Sequence, residues 1–230
     1  MNAIGILGGM GPAATILLQR KLVEAVPARD DSDHIPLLID MNPQIPSRIA
    51  HLIDASGIDP GPTLAAMARR LEMMGAVALA MPCNTAHHYA GAITEAVNIQ
   101  LLNMVELAAD HAEDLLGSSG CVGMLASPAV RHIRLFEKAL EARGISTIWP
   151  ANDEAMLDAI RKIKSFGPCN AARETLLAAS EELAAAGTGL QIIACSEFSI
   201  IADSTAMDAN VVDTIDLLVR AIVKMAQTAT

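Results

Sequence analysis

The sequence predicts an α/β fold of two similar Rossmann-like lobes with parallel sheets. Three observations carry this. Short apolar runs alternate with long Ala/Leu-rich stretches along the 230 residues, as strand–helix–strand units do. The alternation restarts near residue 120 with a similar opening. Hydrophobic residues make up 52% of the chain, yet only five are aromatic (one Trp, one Tyr and three Phe). The interior is therefore built from Ala, Leu, Ile, Val and the 12 Met, which suits helices packed on buried parallel strands.

Taken in order, Ala3–Leu7 reads as a strand, and Gly8-Gly9-Met10-Gly11-Pro12 turns it into a helix from Pro12 to Val26. Proline is tolerated at a first helical position, where its missing N–H would be unpaired anyway. Ile35–Met41 is a second strand, followed by the loop NPQIPSR. Asp59-Pro60-Gly61-Pro62 opens a helix that reaches Met74, and Gly75 ends it. Ala76–Met81 is a third strand, Thr85–Val97 a helix and Gln100–Asn103 a short strand. The second series reads Gly120–Ala126 as strand, Ala129–Arg143 as helix and Ile145–Trp149 as strand. Helices follow at Asp153–Lys164 and Pro168–Ala186, then a buried strand at Leu190–Ala194 and a closing helix at Asp208–Ala226.

The restart points to an internal duplication. Ile4-Gly5-Ile6-Leu7 resembles Val122-Gly123-Met124-Leu125, and each is followed by small residues and a proline. The strand Ala76–Met81 leads to Cys83 much as Leu190–Ala194 leads to Cys195. The expected lobes are 1–116, joined by the C-terminal helix 208–230, and 117–207. No low-complexity linker separates them, so a cleft between closely packed lobes is the expected place for an active site.

Charge removes several function classes. With 16 basic against 26 acidic residues the net charge is −10, which repels phosphate backbones, and few rings are available to stack bases. Nucleic acid is not an expected partner. No Lys/Arg cluster suits an anionic lipid surface and no long uncharged apolar span suits a bilayer. The N-terminus lacks the basic region of a signal peptide. A cytoplasmic location is expected. The four cysteines are too widely spaced for paired-cysteine zinc sites, and His34, His51, His111 and His132 show no ligand spacing, so no metal is expected.

Cys83, in AMPCNTAH, and Cys195, in IIACSEF, stand at the carboxyl ends of strands. Ligands of open α/β sheets bind there, and backbone N–H groups at helix starts favour a thiolate. Either residue could instead be a small buried hydrophobe. That reading suffices for Cys121 and Cys169, whereas Asn84-Thr85 and Ser196-Glu197 would be poor neighbours in a dry core.

With these motifs the chain resembles the cofactor-independent aspartate/glutamate racemase family, over its whole length. The resemblance rests on GILGGMGPxAT (Gly5 to Thr15), NPQIPSR (Asn42 to Arg48), PCNTAH (Pro82 to His87) and CSE (Cys195 to Glu197). It implies two α/β lobes related by a pseudo-two-fold axis, each contributing one cysteine, and a homodimer. It also implies racemisation of aspartate, or glutamate, without metal or pyridoxal phosphate. Cys83 and Cys195 would act as opposed acid/base residues, and Asn84, Thr85, Ser127 and Ser196 would cradle the α-carboxylate. Arg48 and Lys164 match the positions that hold a distal carboxylate, Met10 lies near the substrate, and Glu197 and His87 are supporting residues. For Arg48 and Lys164 the bland alternatives are a solvent-facing loop charge and a basic residue at a helix C-terminus.

The pattern departs from the family at Ser47 (usually Asp), Ile49 and Val130 (usually Thr), Ser196 (usually Thr) and Phe198 (usually a smaller aliphatic). Two alternatives accompany the racemase reading. One is a hydantoin racemase or a maleate-isomerase-like enzyme with a nucleophilic cysteine. The other is a non-catalytic dicarboxylate-binding protein using Arg48 and Lys164.

Overall fold

A computed structural model describes residues 1–54 and 56–227. It contains two four-stranded parallel sheets. The first is made of β1 (Ile4–Gly8), β2 (Leu37–Met41), β3 (Ala78–Ala80) and β4 (Gln100–Leu102), in the order β2-β1-β3-β4. The second is made of β5 (Cys121–Ala126), β6 (Ser146–Ile148), β7 (Leu190–Ala194) and β8 (Val211–Asp213), in the order β6-β5-β7-β8. The two orders are the same, strand for strand. The fold is α/β, with one sheet in each of two compact units: Met1–Met104 with the chain from Ile215 onward, and Val105–Thr214.

In the first unit β1 is wholly buried and pairs on both sides, Ile4 opposite Leu37 and Ala78. That is why it reads as an unbroken apolar run. The helix Gly61–Met73 covers this sheet with Leu64, Met67, Ala68 and Leu71, and its Arg70 grips the Asp40 carboxylate on β2 at 2.6 Å. The helix Thr214–Gln227 returns to this unit. Its Asp216 pairs with Lys21 of the helix Pro12–Ala25, and the Ala226 carbonyl accepts the Asn2 N–H at 3.0 Å.

In the second unit Leu125, Ile193, Ile160, Ile163, Leu176 and Leu183 form the core between the sheet and the helices Asp153–Phe166 and Asn170–Ala185. The helix Met104–Leu116 leads into this unit and is clamped there by one side chain. Arg143, mostly buried, reaches Glu106 at 2.9 Å, Asp110, and Glu113 at 3.4 Å.

Several elements differ from the sequence expectation. Thr85–Val97 is not one α-helix: residues Thr85–Tyr89 form a tighter 3₁₀ turn before a short helix, Ala90–Thr94. The turn begins where the His87 N–H bonds to the Asn84 carbonyl at 3.0 Å, an i→i−3 bond. Ala129–Arg143 is broken into Pro128–His132 and Leu135–Glu141 by Arg134, whose φ of 51° lies in the left-handed region. The start of the closing helix is instead the edge strand β8, whose Val211 and Val212 pair with Gln191 and Ile192; β-branched residues suit that position. The helix Met104–Leu116 was not anticipated, although Val105, Ala108, Ala109 and Ala112 are buried at helical spacing.

Candidate active site

In a parallel sheet all strands discharge their chains at one edge, so residues far apart in sequence gather there. In the first unit β1 ends at Gly8 and the chain turns at Gly9 with φ +96°. A Cβ on Gly9 would stand 2.4 Å from the Asn42 carbonyl group, so glycine is required for this approach. The Gly9 N–H is received by the fully buried Thr15 hydroxyl at 3.0 Å. The opening glycine run is thereby locked against the start of the NPQIPSR loop. Along that loop the Ser47 hydroxyl caps the short helix Arg48–Leu52 by accepting the Ala50 N–H at 3.2 Å. Ser47 thus performs the capping for which Ser and Asp are both suited. Arg48, half-buried, donates one hydrogen bond to the Pro46 carbonyl at 3.1 Å.

Cys83 follows β3 and is buried in one apolar cluster with Met10, Ile45 and Tyr89. Asn84, also buried, and Thr85 begin the turn after it. His87 sits behind the cysteine rather than on its sulfur. Its Nδ1 is 2.9 Å from the Cys83 carbonyl oxygen, and its Nε2 accepts the Met104 N–H at 3.1 Å. That pairing requires the neutral ring with the proton on Nδ1, and burial lowers its pKa to about 4. Both nitrogens are committed, so His87 shapes the backbone and does not exchange protons with the thiol.

The second unit repeats the placement with different chemistry. Ala126 on β5 is opposite Ala194 on β7, so Ser127 and Cys195 leave neighbouring strands side by side. The Ser127 hydroxyl caps the helix Pro128–His132 through the Ala129 N–H at 3.2 Å. Cys195 is buried and donates its S–H to Glu197 Oε2 at 3.3 Å. Burial, then the Glu197 charge, push its pKa well above the ordinary thiol value. The other oxygen of Glu197 meets Lys164 Nζ at 3.4 Å. Lys164, Glu197 and Cys195 therefore form one chain of contacts, with Ser196 buried between the last two. Beneath them the Ser199 hydroxyl donates to Asp213 Oδ1 at 2.8 Å, and Thr214 donates to the Ile193 carbonyl at 3.0 Å.

Met10, Asn84 and Cys83 are thus gathered at the edge of the first sheet, and Ser127, Cys195, Ser196, Glu197 and Lys164 at that of the second. Sequence reasoning did not single out Tyr89, Ser199 or Asp213. Tyr89 carries one detectable signal: it is the only tyrosine in the chain and lies six residues beyond Cys83. Among the described residues no three His, Cys, Asp or Glu side chains come together as metal ligands. No helix among them is long and apolar enough to cross a membrane.

Residues 7–222 match the Asp/Glu/hydantoin racemase family. The chain belongs to that family. The racemase, an isomerase, is similar to the broad specificity amino-acid racemase RacX of Bacillus subtilis (strain 168), with 24% identity over 218 residues covering 91% of this chain and 92% of that one. Among solved structures it is similar to the aspartate racemase of Picrophilus torridus. The TM-score is 0.86 at 25% identity, covering 98% of this chain and 94% of the other. The glutamate racemase of Francisella tularensis in complex with D-glutamate shares the fold with a TM-score of 0.67 at 16% identity, over 100% of this chain and 84% of that one.

Proposed function

We propose that the racemase interconverts L- and D-aspartate, or glutamate, by two-base catalysis with Cys83 and Cys195 and without pyridoxal phosphate. One observation carries the reading: the two cysteines follow topologically equivalent strands, β3 and β7, in sheets of identical order. Inversion at Cα needs a base for one face and an acid for the other. A thiolate takes the α-proton, the electron pair of the C–H bond passes into the α-carboxylate as an enolate-like carbanion, and the opposite thiol gives its proton to Cα. Charge and proton have then exchanged sulfurs, and the product enantiomer is released.

The Glu197 carboxylate beside Cys195 favours its protonated form in the free enzyme; with one enantiomer Cys195 is the acid and Cys83 the base, and with the other the roles are exchanged. Backbone N–H groups with Asn84, Thr85, Ser127 and Ser196 receive the α-carboxylate, whose charge grows in the transition state. Arg48 and Lys164 supply cations for the second carboxylate. Lys164 must then divide its charge between Glu197 and substrate.

The test is chiral analysis of L- and D-amino acids incubated with enzyme in heavy water. Inversion of aspartate or glutamate with deuterium at Cα supports the proposal. Tight binding without exchange would instead favour a dicarboxylate-binding protein. A covalent sulfur adduct would favour a nucleophilic isomerase.

A further inference from the structure

We infer that Tyr89 and His51 form a positioning pair that fixes the Arg48 helix against the Cys83 strand end, and thereby sets affinity for the substrate's distal carboxylate. The inference rests on the function proposed above for Arg48, but its structural half can be measured without substrate.

The helix Arg48–Leu52 is only five residues long, too short to be stable alone. Its sequence-local support is a serine cap and the hydrogen bond from Arg48 to Pro46. Leu52 packs against the apolar cluster of the unit, and a directional polar tie comes from His51, one turn on from Arg48, whose Nδ1 lies 2.8 Å from the Tyr89 hydroxyl. The two rings approach at 5.8 Å between centroids.

Tyr89 is itself held firmly. It is buried in the cluster that contains Cys83, Met10 and Ile45, and His88 packs edge-on against its ring at 5.0 Å. Arg48, Asp59 and Cys83 all lie close enough to bias the ionisation of its hydroxyl. Burial dominates, raising the pKa to about 12, so the phenol stays protonated and keeps its hydrogen bond with His51 Nδ1. One hydroxyl therefore links the arm carrying Arg48 to the wall carrying Cys83. An error of about 1 Å in a binding group is enough to weaken or misdirect a substrate.

Tyr89→Phe keeps the ring and removes only the hydroxyl. We expect KM for aspartate to rise roughly three- to tenfold, with kcat held within about twofold. Amide exchange at Ala50 and Ile53, whose N–H groups close the short helix, should quicken, while Ile6 and Leu79 in the sheet stay protected as the folding control. His51→Phe should behave alike, and the double variant should be no worse than either single one.

A fall in kcat at unchanged KM would overturn the inference, as would unchanged exchange at Ala50 and Ile53 in both variants. If the unmodified enzyme leaves aspartate and glutamate untouched, the proposed function fails. Exchange then decides alone: faster exchange upholds the positioning pair, and unchanged exchange ends it.

Discussion

The strand ends after β3 and β7 have the same topology and different electrostatics. Behind Cys83 the chain is pinned by a neutral histidine and braced by a tyrosine. Around Cys195 the pins are carboxylates, Glu197 on the sulfur and Asp213 beneath it, with Lys164 offsetting part of the charge. A repeated scaffold thus presents two equivalent sulfurs in unequal surroundings. Such a difference holds the Cys195 thiol above the ordinary thiol pKa.

The largest effect that could break this comparison comes from the sulfurs. Cys83→Ala and Cys195→Ala should each lower the inversion rate by roughly 10²–10⁴-fold, measured by chiral chromatography. Full inversion by either variant would end the equivalence of the two strand ends.

His87 gives the next effect, on stability rather than rate. Its pKa of about 4 in the folded protein lies below the 6.5 of a free imidazole, so between these values the unfolded chain binds the extra proton. Stability from this group is complete above pH 6.5 and is lost as pH falls to 4, about 3 kcal/mol in all. Urea unfolding across that range should show a shallower acid decline in His87→Gln, whose amide does not titrate. Equal declines in the two proteins would contradict a neutral pin.

The Cys195 surroundings can be probed by pH–rate profiles. Glu197→Gln removes a negative charge from the thiol, so the limb belonging to Cys195 should move to lower pH. Lys164→Met leaves Glu197 uncompensated and should move the same limb upward, by less, because the lysine is partly exposed. Movement in one direction for both would show that the three groups do not act as a chain. The smallest effect is expected from Ser47→Ala, which removes the cap of the Arg48 helix. It should cost about 1 kcal/mol of local stability, visible as faster amide exchange at Ala50.

The legible features were those encoded by neighbours in sequence. β1 and β7 could be read because buried parallel strands are continuous apolar runs, and Cys195 follows the last residue of one. Pro12 and Gly75 marked helix ends through their own backbone preferences. β8 was lost because three residues directly abutting a helix leave no period to detect. The break at Arg134 has no glycine or proline to announce it. At the site, each cysteine could be placed by its strand. The Lys164–Glu197 contact and the Tyr89–His51 contact join segments that only folding brings together. At His87 the spacing from Cys83 suits either a role at the sulfur or a hydrogen bond to the backbone, and the 3₁₀ turn decides for the backbone carbonyl.

The return of the chain at Ile215 also interleaves the two units along the sequence. The second unit is contiguous from Val105 to Thr214, whereas the first takes in the last helix, which meets Lys21 and Asn2. A truncation after Thr214 therefore strips a supporting helix from the unit that carries Cys83, and leaves the unit that carries Cys195 with every strand of its sheet.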